Sequence, residues 1–233
     1  MKKQLITKIK RKIPKPLLLS ILIFICVTVF YFLLTRLGFL MPLSDLPSVL
    51  CLNSCPAEIS IHRFINTDQI LNSNQPLKEL LKGDIDQQKI SILVEKSKYK
   101  LTLFYNLKPI KSYPVVFGSN PTGDKLFSGD DKTPEGIYHI LDLYPHPHWS
   151  KFIWLDYPTS QSWRKHFQAK FSGKINFFLP IGNEIGIHGV PNGQDILIDQ
   201  RSNWTWGCVS LKNNDINEIY QFLKVGTLVE IIP

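Results

Sequence analysis

Leu17 to Leu34 is an unbroken apolar stretch without a charged residue, about the ~18–20 residues that cross a hydrocarbon core of roughly 30 Å as a helix. In lipid a helix satisfies every backbone polar group internally, so this run points to a bilayer rather than to a soluble core. Seven basic residues (Lys2, Lys3, Lys8, Lys10, Arg11, Lys12 and Lys15) precede it. Positive-inside bias then keeps residues 1–16 in the cytoplasm, makes 17–35 a transmembrane segment and sends the remainder outward. Thr35-Arg36-Leu37-Gly38-Phe39-Leu40 offers no small-x-small cleavage site, so the segment is read as an uncleaved signal anchor. The expected location is the bacterial inner membrane, single-pass, with the folded part extracytoplasmic.

The formal net charge of +8 belongs to that anchor. Residues 1–40 hold eight of the 27 basic residues and no acid, leaving 19 basic against 19 acidic residues afterwards. The folded part is formally neutral, and no nucleic-acid partner is expected. A chain of 233 residues supports one core plus an appendage.

The four cysteines stand in three settings. Cys26 lies in the apolar run, Cys51 and Cys55 form a C-x3-C pair just beyond it, and Cys208 stands alone. Outside the cytoplasm Cys51 and Cys55 can close a small disulfide loop, and no further cysteine is near enough to suggest zinc. An unpaired cysteine in an oxidising compartment suggests a thiol kept for chemistry.

Residues 36–88 mix Pro, Ser, Asn and short apolar clusters, as expected for a linker spacing the domain from the bilayer, with a helical turn or two at Pro76–Leu81. From residue 89 to 233 the pattern is mainly β, with strand-like runs at Ile90–Val94, Lys100–Tyr105, Ile110–Phe117, Gly136–Leu141, Phe152–Leu155 and Leu228–Ile232. Helices are expected at Ser162–Phe171 and at Ile216–Leu223, the latter capped by Asn214 or Asp215.

Two segments concentrate the chemistry: Ile185-Gly-Ile-His188-Gly189-Val190 and Trp204-Thr205-Trp206-Gly207-Cys208-Val209-Ser210-Leu211. A thiol needs a base or an electropositive setting to act as a nucleophile, and His188 at the end of an apolar run is the candidate. The competing role for His188 is a core histidine. Gly207 permits a tight turn that would aim the amides of Gly207 and Cys208 at a developing oxyanion.

This arrangement resembles the L,D-transpeptidase catalytic family, whose motif is His-Gly, a spacer, Ser or Thr, a variable residue, Gly-Cys and a hydrophobic residue. His188-Gly189, Thr205, Gly207, Cys208 and Val209 match it, with 16 residues between His188 and Thr205. Tyr113-Pro-Val-Val-Phe-Gly118 and Thr133-Pro-Glu-Gly136 follow the same family order, and the resemblance covers roughly Ile90 to Ile232. Trp206 replaces a frequent His and Ser210 a frequent Arg, while Asp156-Tyr157-Pro158 is similar to a subgroup that includes hydrolases. The resemblance implies a β-sandwich-like domain with a few helices and no cofactor or metal. It implies Cys208 as nucleophile, His188 as base, and peptidoglycan stem tetrapeptides as substrate, attacked at the carbonyl of the third, diamino-acid residue. Gly189, Thr205, Trp206, Ser210 and Trp204 become candidate substrate contacts. Hydrolysis of peptidoglycan or of protein–peptidoglycan links, with a lipoprotein among the conceivable substrates, is the alternative to transfer. An inactive peptidoglycan-binding module is the alternative to both, against which stands the presence of both Cys208 and His188.

Three features mislead. Gly118–Lys125 imitates a phosphate loop, but Asp124 stands where Lys is required. His146 and His148 have no third metal ligand at a suitable spacing. A sortase-like mechanism needs an Arg after the nucleophile, and none follows Cys208.

Overall fold

The computed structural model describes residues 14–52, 59–62 and 69–233. Helices α1 (Lys15–Arg36), α2 (Leu46–Val49), α3 (Leu77–Leu80), α4 (Ser160–Phe171), α5 (Ile196–Asp199) and α6 (Asn213–Tyr220) accompany eight strands. These are β1 (Ile90–Glu95), β2 (Lys100–Tyr105), β3 (Lys108–Pro114), β4 (Gly136–His146), β5 (Ser150–Leu155), β6 (Gly186–Gly189), β7 (Val209–Leu211) and β8 (Leu228–Ile232).

At 22 residues, α1 is long and apolar enough to cross a membrane, and none of it is buried against the rest of the chain. The helix begins two residues before and ends one residue after the expected segment 17–35.

The strands form one mixed sheet in the order β3-β2-β1-β8-β4-β5-β6-β7. β4 organises it: residues 136–139 pair with β8, and residues 140–146 pair with β5 across a register shift. That irregularity bends the sheet, as bulges do. The far edges then meet, because the chain leaving β3 bridges Val116 to Ser210 and Gly118 to Thr205. The outcome is a nearly closed, barrel-like form of the expected β architecture, with no long exposed edge at β7. Val116 lies within the expected strand Ile110–Phe117 and Gly118 just past it; the strand instead ends at Pro114, and its continuation crosses to β7.

Alternation along the strands supplies the interior: Ile92, Val94, Leu101, Leu103, Ile140, Ile153, Leu155, Ile187, Val209 and Val229 are buried in one cluster. Trp163 of α4 joins it, and α4 begins at a capping box in which the Thr159 and Ser162 side chains satisfy each other's backbone N–H groups. α6 starts earlier than expected and takes Lys212 at its N-cap without a side-chain cap. Burial of Ile216 and Ile219 holds it in place.

Residues 38–52 do not act as the expected spacer. Ile181 N–H donates to Gly38 O at 2.9 Å, and Arg164 donates to Ser48 O at 2.7 Å. The segment leaving α1 therefore lies directly on the domain. Cys51 is disulfide-bonded, whereas Cys26 and Cys208 are free; Cys55, the expected partner, lies outside the described residues. Further along, Glu230 of β8 fastens residues 60–62, accepting from the backbone N–H of Ile61 and of His62 and lying 2.7 Å from His62 Nδ1.

Candidate active site

The site forms where β6 and β7 run parallel, with Ile187 opposite Val209 and His188 opposite Ser210. Period-two alternation then puts His188 and Cys208, two residues before Ser210, on one face of the sheet, as diagonal neighbours. Cys208 is half-buried, and its thiol points at Glu184 O, 3.6 Å away.

The imidazole of His188 is sealed by aromatic rings. Trp149 stacks on it at 4.4 Å and Phe152 lies parallel at 5.8 Å. Trp204 meets it edge-on at 5.5 Å. Its Nδ1 lies 2.7 Å from Gly189 O, which also accepts from the Ser210 hydroxyl at 3.3 Å. A carbonyl can only accept, so Nδ1 carries the hydrogen and Nε2 is the nitrogen left to take a proton. The group that orients the imidazole is thus the Gly189 backbone carbonyl.

Burial disfavours charge on both partners. It lowers the His188 pKa to about 4 against the weaker pull of the Gly189 hydrogen bond. It pushes the Cys208 thiol up to about 11, with the Gly186 backbone and Lys125 pulling the other way. Thiol and imidazole therefore rest uncharged at neutral pH.

The nucleophile loop is braced from within. Thr205 Oγ1 donates to Cys208 O at 2.7 Å and accepts from Gly207 N–H at 3.2 Å. Thr205 N–H donates to Phe117 O, and Ser119 N–H to Thr205 O. Gly207 has φ +136, and a Cβ there would lie 2.6 Å from Lys132 O, so the turn excludes any side chain.

These contacts sort the expected site residues. By strand register Cys208 lies diagonal to His188, and Trp206, two residues before Cys208, is 85% exposed. Trp204 is half-buried against His188. Thr205, Ser210 and Gly189 are buried and make internal contacts, which argues for bracing rather than substrate contact. A Cβ on Gly189 would strike Asn213 Oδ1 and lie 2.6 Å from Trp149 O. Of the two expected oxyanion donors, the Gly207 amide is already committed to Thr205. Sequence reasoning missed Trp149 and Phe152, far upstream of His188; the only signal was the aromatic run His146–Phe152.

The decoys resolve as structure. His146 stacks on Trp149 at 4.3 Å. Lys125, in the loop that imitates a phosphate site, is buried against Asp130 at 2.8 Å. Asn203, in a glycosylation-like sequon, accepts from Phe117 N–H and donates to Tyr99. Among the described residues no group of three or more His, Cys, Asp or Glu side chains is placed to hold a metal ion.

Similar folds occur among solved structures. The helical cell shape determining protein Pgp2 from Campylobacter jejuni shares 23% identity over 66% of this chain and 53% of that one, with a TM-score of 0.43. Bdellovibrio bacteriovorus Bd1075 shares 22% over 62% and 47%, at 0.42. An L,D-transpeptidase from Mycobacterium smegmatis shares 12% over 62% and 59%, at 0.41. The chain thus spans about half the length of these proteins. No curated protein matches it significantly in sequence. The family model for the L,D-transpeptidase catalytic domain (YkuD) matches residues 89–231, which take in all of the sheet but the last residue of β8 and the whole site described above, and the chain belongs to that family.

Proposed function

We propose that this chain is a membrane-anchored L,D-transpeptidase that takes peptidoglycan stem tetrapeptides as acyl donors through a Cys208 thioester, with its catalytic domain outside the cytoplasmic membrane. The observation that carries the reading is a free thiol and a histidine on one face of adjacent strands, the histidine's Nδ1 held by Gly189 O so that Nε2 is the available base.

Because both groups rest neutral, no thiolate waits for substrate. As Sγ bonds to the carbonyl carbon of the third stem residue, its proton passes to His188 Nε2. The imidazolium so formed is cut off from water, and this desolvation disfavours its charge, so it readily gives the proton to the departing amine of D-alanine. The Cys208 amide is the candidate donor to the oxyanion, and one such donor contributes about 2.7–4 kcal/mol in other acyl-transfer sites. An amine from a second stem then resolves the thioester to a cross-link, and water would resolve it to a tripeptide. No cofactor takes part in this scheme.

The test is to incubate the full chain in detergent with disaccharide tetrapeptides and compare wild type with Cys208→Ala by mass spectrometry. Cross-linked dimers that depend on Cys208 are expected. Cys208-dependent tripeptide alone would mark a hydrolase, and tetrapeptide binding without any conversion would mark an inactive binding module.

A further inference from the structure

The stretch from Tyr157 to Asn183 contains no acidic residue but holds Arg164, Lys165, Lys170 and Lys174. At its C-terminal end Phe171, Phe177 and Phe178 are 78%, 58% and 83% exposed. Their rings adjoin one another, Phe171 to Phe177 at 6.2 Å and Phe177 to Phe178 at 6.1 Å, and Lys170 Nζ lies 5.4 Å above the Phe177 ring. Three contiguous exposed phenylalanines are costly in water, at about 25 cal/mol per Å² of apolar surface.

The place of this patch says what covers it. Ile181 N–H donates to Gly38 O at 2.9 Å and Asn183 Nδ2 to Arg36 O at 2.6 Å, so the loop carrying the patch is bonded to the last residues of α1. Two residues separate Phe178 from Ile181, three steps along the chain, and extended chain reaches at most ~3.6 Å per residue. Phe178 is thus within about 11 Å of Ile181, whose N–H bonds Gly38 O two residues beyond the end of α1. If α1 spans a bilayer, that distance falls at the headgroup layer, where aromatic rings and lysines are both favoured. Phe39, also exposed, flanks the same exit.

We propose that Phe171, Phe177 and Phe178, with Lys170 and Lys174, form an interfacial contact with the phospholipid headgroups of the bilayer that α1 crosses. The contact has a consequence for the site. Glu184 O, which faces the Cys208 thiol at 3.6 Å, is one residue beyond Asn183. Seating the patch in the interface therefore sets the height and tilt of the nucleophile above the membrane, and gives the enzyme access to membrane-proximal peptidoglycan stems.

The inference rests on the membrane-anchored reading given above. Its test places the photo-crosslinking residue p-benzoylphenylalanine at Phe178, at Phe24 within α1, or at Leu107 in the β2–β3 turn, in the full chain reconstituted in phosphatidylcholine–phosphatidylglycerol nanodiscs. All three positions are exposed, so the fold tolerates the change. Lipid adducts at Phe24 and Phe178, with yields at Phe178 at least about tenfold above Leu107, are expected for an interfacial patch. Adducts at Phe24 without adducts at Phe178, or equal yields at Phe178 and Leu107, overturn the patch and leave the anchor standing. No adducts at Phe24 overturn the anchor and the patch together.

Discussion

His62 and His188 are both buried, and by geometry alone His62 is the better relay. Its Nδ1 lies 2.7 Å from the Glu230 carboxylate and its Nε2 2.8 Å from the Ser91 hydroxyl, a serine–histidine–carboxylate chain. His188 has only a backbone carbonyl behind it and a cysteine across one strand. Yet Ser91 is 6% exposed and Glu230 spends its oxygens holding the backbone of residues 61 and 62. That network is a fastening for the segment before the domain. The site at His188 keeps the half-buried Cys208 thiol, an exposed Trp206 and a braced turn. A relay becomes catalytic through access and an electrophile-facing turn, and hydrogen-bond order alone does not supply them.

The sharpest break between the two is by substitution. Cys208→Ala is expected to abolish turnover, and His188→Ala to lower kcat by about 10²–10⁴, both with unchanged circular dichroism. His62→Ala is expected to leave kcat near wild type and lower unfolding stability by about 1–3 kcal/mol, since the buried Glu230 carboxylate and Ser91 hydroxyl would each lose a hydrogen-bond partner. An inactive but stable His62→Ala protein would reverse the two roles.

Acid should separate them next. His188 titrates near 4 in the folded state and near 6.5 when unfolded, so below 6.5 the unfolded chain takes up a proton that the native site refuses. Stability is then fully present above about 6.5 and falls as pH drops toward 4, by up to about 1.4 kcal/mol per pH unit. Denaturant melts across that window should show this slope in wild type and a shallower one in His188→Gln.

The thiol supplies a finer test. With Cys208 held near 11, its alkylation by iodoacetamide should rise about tenfold per pH unit from 7 to 10, following the thiolate fraction. A plateau already reached near pH 6 would reveal a preformed thiolate–imidazolium pair and sink the neutral-pair mechanism. The smallest effect expected is for Ser210→Ala, which removes one hydrogen bond to Gly189 O and should cost about 1 kcal/mol of stability with a modest loss of kcat.

Much of this was legible along the chain. The apolar run became α1, the alternating runs became β1, β2, β4, β5 and β8, and His188, Thr205, Gly207 and Cys208 stood at the spacing that carries the family resemblance. Contacts between distant segments were not legible. Trp149 and Phe152 reach His188 because β5 pairs with β6, Phe152 lying opposite His188. Thr205 and Ser210, as motif residues, pointed to substrate; pairing with the chain after β3 turned them inward instead. The segment after α1 looked like a spacer because its composition says nothing of Ile181, which bonds it to the domain.

Periodicity, charge placement and motif spacing are local quantities, and from them the sequence alone determined an apolar N-terminal helix, a β domain and the family motif that contains His188 and Cys208. Protonation state, the choice of orienting carbonyl, the commitment of the Gly207 amide and the nearness of the nucleophile to the end of α1 were decided only in the tertiary structure. Each depends on burial and hydrogen-bond partners contributed by residues far apart in the chain, and those meet only once the sheet has closed.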